Sequence, residues 1–178
     1  MKILLGVTGS IAAYKIPELV KLLRRDNHEV KVIATRGALQ FVTSMTLSIC
    51  LGGEVYIRDI GPQMLHIRLA KWADIVLIAP ATANIIAKIA CGLADDLLST
   101  TCLATEAKLF IAPAMNCQMW SNLAVQENIA KLRGRGVEII SPTVGLQACG
   151  DYGQGRMMEI NDIANIFRVP IDSSIYLI

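Results

Sequence analysis

The sequence predicts an α/β protein: a parallel β-sheet with helices on both faces, a three-layer sandwich. Three observations predict it. Apolar runs of strand length alternate with amphipathic runs of helical length, an order that gives parallel strands joined by right-handed crossovers. The chain is 53% hydrophobic and only 18% charged, which suits a sheet buried on both faces together with further burial at subunit interfaces. Loops of small and polar residues follow the strand-like runs, where an open α/β sheet places its ligand contacts.

Lys2 to Val7 reads as a short buried strand that ends in Thr8-Gly9-Ser10. Ser10 is the N-cap expected for a helix from about Ile11 to Arg25, with Ile16, Leu19, Val20 and Leu23 on one face. Val30 to Ala34 is a second strand, closed by Thr35-Arg36-Gly37, and Phe41 to Leu51 reads as helix. Glu54 to Gln63 mixes strand formers with Gly61-Pro62 and has no clear period. Met64 to Trp72 returns to helix, and Ile75 to Ala79 is a third strand. Helices over Asn84 to Ala90 and Asp95 to Thr105 part at Gly92, before a fourth strand from Lys108 to Ala112. A helix from about Asn122 to Arg133 precedes a fifth strand, Val137 to Ile140. From Asn161 the chain reads as a short helix and, after about residue 167, an irregular tail.

A length of 178 residues suits one domain, residues 1–178, with a substantial core. The formal charge of +2 excludes a nucleic-acid footprint. Five cysteines (Cys50, Cys91, Cys102, Cys117, Cys149) form no C-x-x-C pair, and two histidines are too few for an obvious zinc site. No metal is expected. Reduced thiols point to the cytoplasm. Two apolar stretches imitate membrane signals. Ile3 to Ala13 is broken by Gly6, Thr8, Gly9 and Ser10, and Ile75 to Ala94 by Pro80, Thr82, Asn84 and Lys88, so no membrane association is expected.

Several segments could carry chemistry. Gly6-Val7-Thr8-Gly9-Ser10 is a strand-to-helix turn that is neither a dinucleotide fingerprint nor a Walker loop. A helix N-terminus there offers N–H groups to an anion, although a tight turn alone would also use small residues. Pro80-Ala81-Thr82-Ala83-Asn84 follows the third strand. It is either an ordinary capping turn or a second ligand loop with a hydroxyl and an amide. His66, inside Leu65-His66-Ile67, would by itself be structural, and His28 reads as a solvated loop residue. Pro113-Ala114-Met115-Asn116-Cys117-Gln118-Met119-Trp120 follows the fourth strand; packing explains its methionines and tryptophan but not its asparagine. Ala148-Cys149-Gly150-Asp151-Tyr152-Gly153-Gln154-Gly155-Arg156-Met157 is glycine-rich and reads as a flap able to fold over a ligand.

The last two segments resemble the signatures of the phosphopantothenoylcysteine decarboxylase family, flavin enzymes of coenzyme A synthesis. The resemblance runs from residue 2 to about residue 160, and it includes Gly6 to Lys15 and the loop Ala79 to Asn84. Cys117 and Gln147 stand at positions where they do not conflict with the pattern. The resemblance implies a Rossmann-like flavoprotein sandwich that binds FMN through Gly9, Ser10, Ile11, Thr35, Thr82, Ala83, Asn84 and Ala114. It implies three catalytic residues: His66 as base, Asn116 as anchor of the substrate carboxylate, and Cys149 as final proton donor. It further implies that Asn116, Met119, Leu146 and Ala148 contact substrate.

The reaction so implied converts 4′-phospho-N-pantothenoyl-L-cysteine to 4′-phosphopantetheine. Oxidation to a thioaldehyde places the carboxylate β to C=S, its loss gives an enethiolate, and reduction closes a redox-neutral cycle. Related peptidyl-cysteine decarboxylases lack the cysteine loop, and flavin prenyltransferases lack the asparagine motif. Phosphatase-inhibiting flavin subunits carry acidic tails. The resemblance also implies a homo-oligomer built from trimers, up to a dodecamer. Many bacterial members continue into a phosphopantothenate–cysteine ligase domain, so the ligase here is either separate or fused.

Overall fold

A computed structural model describes residues 1–58 and 64–168. Six parallel strands form one sheet: β1 (Lys2–Val7), β2 (Glu29–Ala34), β3 (Val55–Tyr56), β4 (Ile75–Ala81), β5 (Lys108–Pro113) and β6 (Glu138–Ile139). Their order is β3-β2-β1-β4-β5-β6, the doubly wound arrangement, so the expected sandwich is the observed one. Side chains alternate across the sheet. Ile3, Leu5 and Val7 enter the core under α1 (Ile16–Arg25), α2 (Ser44–Leu51) and α8 (Ile160–Ile166). Leu4, Val76 and Ile78 enter the opposite core, under α3 (Leu65–Trp72), α4 (Ala83–Cys91), α5 (Leu97–Ala104) and α7 (Leu123–Gly134).

Several boundaries differ from expectation for identifiable reasons. Ser10 does cap, accepting from the Ala12 N–H, but Ile11–Lys15 is a 3₁₀ turn and α1 begins only at Ile16. Pro17 has no N–H to continue an earlier α-helix, so it sits in the first turn of a new one. The helix expected from Phe41 starts at Ser44, because the Thr43 hydroxyl accepts from the Thr46 N–H and fixes the start there. In the segment that had no clear period, Val55–Tyr56 pairs with β2, while Gly61-Pro62 lie outside the described residues.

The glycine-rich segment read as a flap is an antiparallel hairpin, β7 (Thr143–Leu146) with β8 (Tyr152–Arg156). A five-residue helix, α6 (Cys117–Ser121), was also not expected. His28 is half-buried rather than solvated, and burial lowers its pKa. Phe167, placed by the sequence where the tail begins, is fully buried edge-on against Phe110, with ring centroids 5.1 Å apart. The tail proper, residues 169–178, lies outside the described residues. Among the described residues no helix is long and apolar enough to cross a membrane, and no group of three or more His, Cys, Asp or Glu could hold a metal.

Candidate active site

The chain leaves β1 toward β2 on one side and leaves β4 toward β5 on the other, so a crevice opens at the C-terminal ends of these neighbouring strands. A cavity of about 680 Å³ lies there, within the range of small-molecule sites. Gly9, Thr35, Thr82, Ala83, Asn84 and Met119 line it. Two contacts set its walls. The buried Thr8 hydroxyl donates to the Pro80 carbonyl at 2.6 Å and accepts from the Thr82 N–H at 3.1 Å, which ties the turn after β1 to the loop after β4. Gly9 lies against the backbone of Gly37: a Cβ on Gly9 would stand 2.9 Å from the Gly37 carbonyl carbon.

Lys88 sits on the wall of this cavity, 2.7 Å from Asp95 and 2.8 Å from Asp96. Burial opposes its charge, but the two carboxylates outweigh that and raise its pKa. Burial likewise opposes the charge of Asp96, yet Lys88 and the Ser99 N–H hold its pKa below the ordinary value. The group is a closed ion network that also caps α5 through Asp96 and Ser99.

A second cavity, of about 270 Å³, lies beyond α6 and is lined by Ser10, Ile11, Ala114, Met115, Asn116, Ala148, Cys149 and Gly155. The hairpin forms one wall because its glycines let it lie on the segment after β5. Gly155, at φ +149°, rests on the Met115 carbonyl, and its own carbonyl accepts from the Met115 N–H at 2.9 Å. A Cβ on Gly153 would stand 2.7 Å from Cys117 Cβ. Gln147 Oε1 accepts from the Cys117 N–H at 3.0 Å, and Gln147 Nε2 is buried without a partner among the described residues. At the base of the hairpin, Glu159 joins Lys15 at 2.9 Å to Arg156 at 2.5 Å. Lys15 first, then Arg156, holds the Glu159 carboxyl below its ordinary pKa.

Asn116 Oδ1 accepts from the Gln118 N–H at 2.8 Å as the N-cap of α6, so Nδ2 is free to donate elsewhere. Nδ2 lies 3.2 Å from Cys149 Sγ and 2.7 Å from Asp151 Oδ2, and the Cys149 thiol donates to the same Oδ2 at 3.5 Å. Sequence reasoning passed over Asp151 and gave Gln147 no role. An ionisable residue two positions from the cysteine, inside a glycine-rich turn, was the available signal for Asp151.

The expected residues therefore divide between two cavities flanking α6. Met119, expected on substrate, lines the first, whereas Ser10, Ile11 and Ala114, expected on the cofactor, line the second. Leu146 lines neither and is 65% exposed. His66 also lines neither: it is half-buried in the first turn of α3, the helix that packs on α5.

Comparison with known proteins matches this arrangement. The Flavoprotein family profile covers residues 1–169. The chain is 51% identical over 165 residues to the coenzyme A biosynthesis bifunctional protein CoaBC of Haemophilus influenzae, covering 90% of this chain and 41% of that protein. It thus spans about two-fifths of the length of the curated relatives it matches. A PPC decarboxylase cysteine-to-serine variant complexed with pantothenoylaminoethenethiol superposes with a TM-score of 0.85 at 35% identity, covering 94% of this chain and 96% of that one. The FMN binding protein AtHal3 superposes at 0.81 and 36% identity, covering 94% of each chain. Fold, crevice and family profile agree, and the chain belongs to the Flavoprotein family.

Proposed function

We propose that this chain is an FMN-dependent decarboxylase that converts 4′-phospho-N-pantothenoyl-L-cysteine to 4′-phosphopantetheine in coenzyme A biosynthesis. The observation that carries this reading is the approach of the Asn116 amide to the Cys149 thiol at 3.2 Å, on a pocket beside a crevice large enough for a flavin nucleotide. The residues present fit FMN. Gly9, Thr35, Thr82, Ala83 and Asn84 offer N–H groups, hydroxyls and an amide around the crevice, while Ser10, Ile11 and Ala114 border the second pocket. Bound FMN supplies a two-electron sink for the thiol-bearing carbon and later returns those electrons.

The chain's own residues do the rest. Asn116 Nδ2 donates to the substrate carboxylate and aligns the bond to be broken. Cys149 gives its Sγ proton to the carbon that carbon dioxide has left. The hairpin, through Ala148, keeps water from the intermediate, while Leu146 and Met119, outside that pocket, are the further substrate contacts. His66, which lines neither pocket of its own chain, serves as base from a neighbouring copy. A homo-oligomer built from trimers, up to a dodecamer, supplies that neighbour. The domain works in the cytoplasm, beside a separate or fused ligase.

Single-turnover mass spectrometry with phosphopantothenoylcysteine tests the reading. The flavin-loaded protein should release carbon dioxide and form phosphopantetheine. Cys149→Ser should still release carbon dioxide but form phosphopantetheine about 100-fold more slowly, with the enethiol accumulating, because a hydroxyl is a far weaker acid than a thiol. No carbon dioxide from the loaded wild type would end the proposal.

A further inference from the structure

The group of Asn116, Cys149 and Asp151 holds one carboxylate more than the reaction needs. The amide assigned to the substrate carboxylate already donates to Asp151 Oδ2 at 2.7 Å and approaches Cys149 Sγ at 3.2 Å. Its other end is committed to capping α6, so Nδ2 cannot be replaced by rotating the amide. An incoming substrate carboxylate therefore meets a donor in use, and two carboxylates on one amide repel.

We propose that Asp151 is a positioning residue that competes with the substrate carboxylate for the Asn116 amide, and so brings the Cys149 thiol into place only after carbon dioxide has left. The inference rests on the decarboxylase reading above. With substrate bound, its carboxylate takes Nδ2, and Asp151 moves out with the turn that also carries Cys149. Loss of carbon dioxide removes the competing charge. Asp151 returns to Nδ2 and accepts the Sγ–H, as in the 3.5 Å contact seen here. The thiol then stands where the carboxylate stood.

The S–H bond breaks and a C–H bond forms at the carbon that lost carbon dioxide, using the electron pair of the enethiolate. The Cys149 sulfur is left as thiolate and regains a proton from water; bound flavin would supply the hydride that the sulfur-bearing carbon takes up. The turn is built to make this movement. Cys149, Gly150 and Asp151 are all exposed, and Gly150 sits at φ +91° with open space where a Cβ would point. Two backbone bonds shape the turn, Gln147 N–H to the Asp151 carbonyl at 2.8 Å and Gly150 N–H to the Gln147 carbonyl at 2.9 Å. Both travel with it.

The test uses flavin-loaded Asp151→Asn and Asp151→Ala proteins, with FMN absorbance and thermal melting as checks of folding. KM for phosphopantothenoylcysteine should fall about tenfold once the competing charge is gone. Carbon dioxide release should stay within about twofold of wild type, while phosphopantetheine formation slows about tenfold and enethiol accumulates. Asp151→Glu should restore much of the product. A merely structural role would slow both half-reactions together and leave KM unchanged or raised, and either result overturns the proposal.

A second measurement needs no variant. Two dead-end analogues with hydrogen in place of the thiol, one carrying the carboxylate and one lacking only it, are bound to the wild-type holoenzyme. Alkylation of Cys149 by iodoacetamide, read by peptide mapping, should be faster with the first; equal rates overturn the proposal. Wild-type protein that releases no carbon dioxide sinks the decarboxylase reading itself. Wild type that does so, with Asp151 variants indistinguishable from it, sinks only this inference.

Discussion

The turn after β1 and the β7–β8 hairpin are both built on glycine, yet they belong to different parts of the molecule. In the turn, Thr8 is 3% exposed and its hydroxyl bonds to the loop after β4, and Gly9 is pressed on Gly37. The packing that fixes the sheet also fixes this wall of the crevice. The hairpin is outside the core: Val144, Leu146 and Tyr152 are 60%, 65% and 74% exposed. A lone two-stranded hairpin is marginally stable, so its bonds to the Met115 and Cys117 N–H groups and the Arg156–Glu159 pair at its base decide where it lies. The turn after β1 is held by the core, whereas the hairpin that carries Cys149 is held by contacts at the surface.

Substitution at these two places should separate cofactor binding from turnover. The largest effect is expected at Gly155→Ala. A methyl there collides with the Met115 carbonyl at a φ that side chains avoid, so the hairpin shifts off Asn116. Displacement of this kind costs about 100-fold in phosphopantetheine formation, with flavin content and melting close to wild type. Loss of flavin in the same variant would erase the distinction between the two regions.

Gly9→Ala should do the reverse. Its methyl meets unyielding backbone at 2.9 Å, and overpacking of this sort costs about 1–3 kcal/mol. Denaturant midpoint and FMN affinity should fall together. A variant with wild-type stability and full flavin would show that the Gly9–Gly37 approach is incidental.

The smallest effect concerns the base of the hairpin. The Glu159 carboxyl has a lowered pKa when folded, so its pairing stabilises fully above the unfolded value of about 4.3 and is lost as pH falls through the lower folded value. Its side chain is 45% exposed and solvent screens it, so Glu159→Gln should cost only about 0.5 kcal/mol at neutral pH. The difference from wild type should vanish in acid. A gap that persists below pH 3 would mean that Glu159 stabilises by something other than its charge.

The sequence made the centre of the fold legible and its edges less so. β1, β4 and β5 are runs of buried apolar residues and β2 becomes one from Val32 on, whereas β3 and β6 pair over only two residues each and carry little pattern. The hairpin strands were not legible because glycine carries no strand pattern; in the fold Gly153 leaves room for the Cys117 side chain and Gly155 for the Met115 carbonyl. Asn116 and Cys149 were singled out by their motifs, and the fold brings them within 3.2 Å of each other. Asp151 was passed over because an aspartate in a turn is ordinary turn chemistry, and nothing local places it over an asparagine 35 residues away. His66 was assigned by resemblance alone, and one chain does not bring it to either pocket.

The Thr8–Pro80 bond also has a consequence for how the site is made during translation. Its partners are 72 residues apart, so the turn after β1 emerges from the ribosome without its acceptor. At about 5–20 residues per second it waits on the order of 4–14 s for β4 to arrive. The Cys149 turn follows later still. A nascent chain therefore makes both partners of this crevice wall before the turn that carries Cys149 and Asp151, so the first cavity is walled before the second.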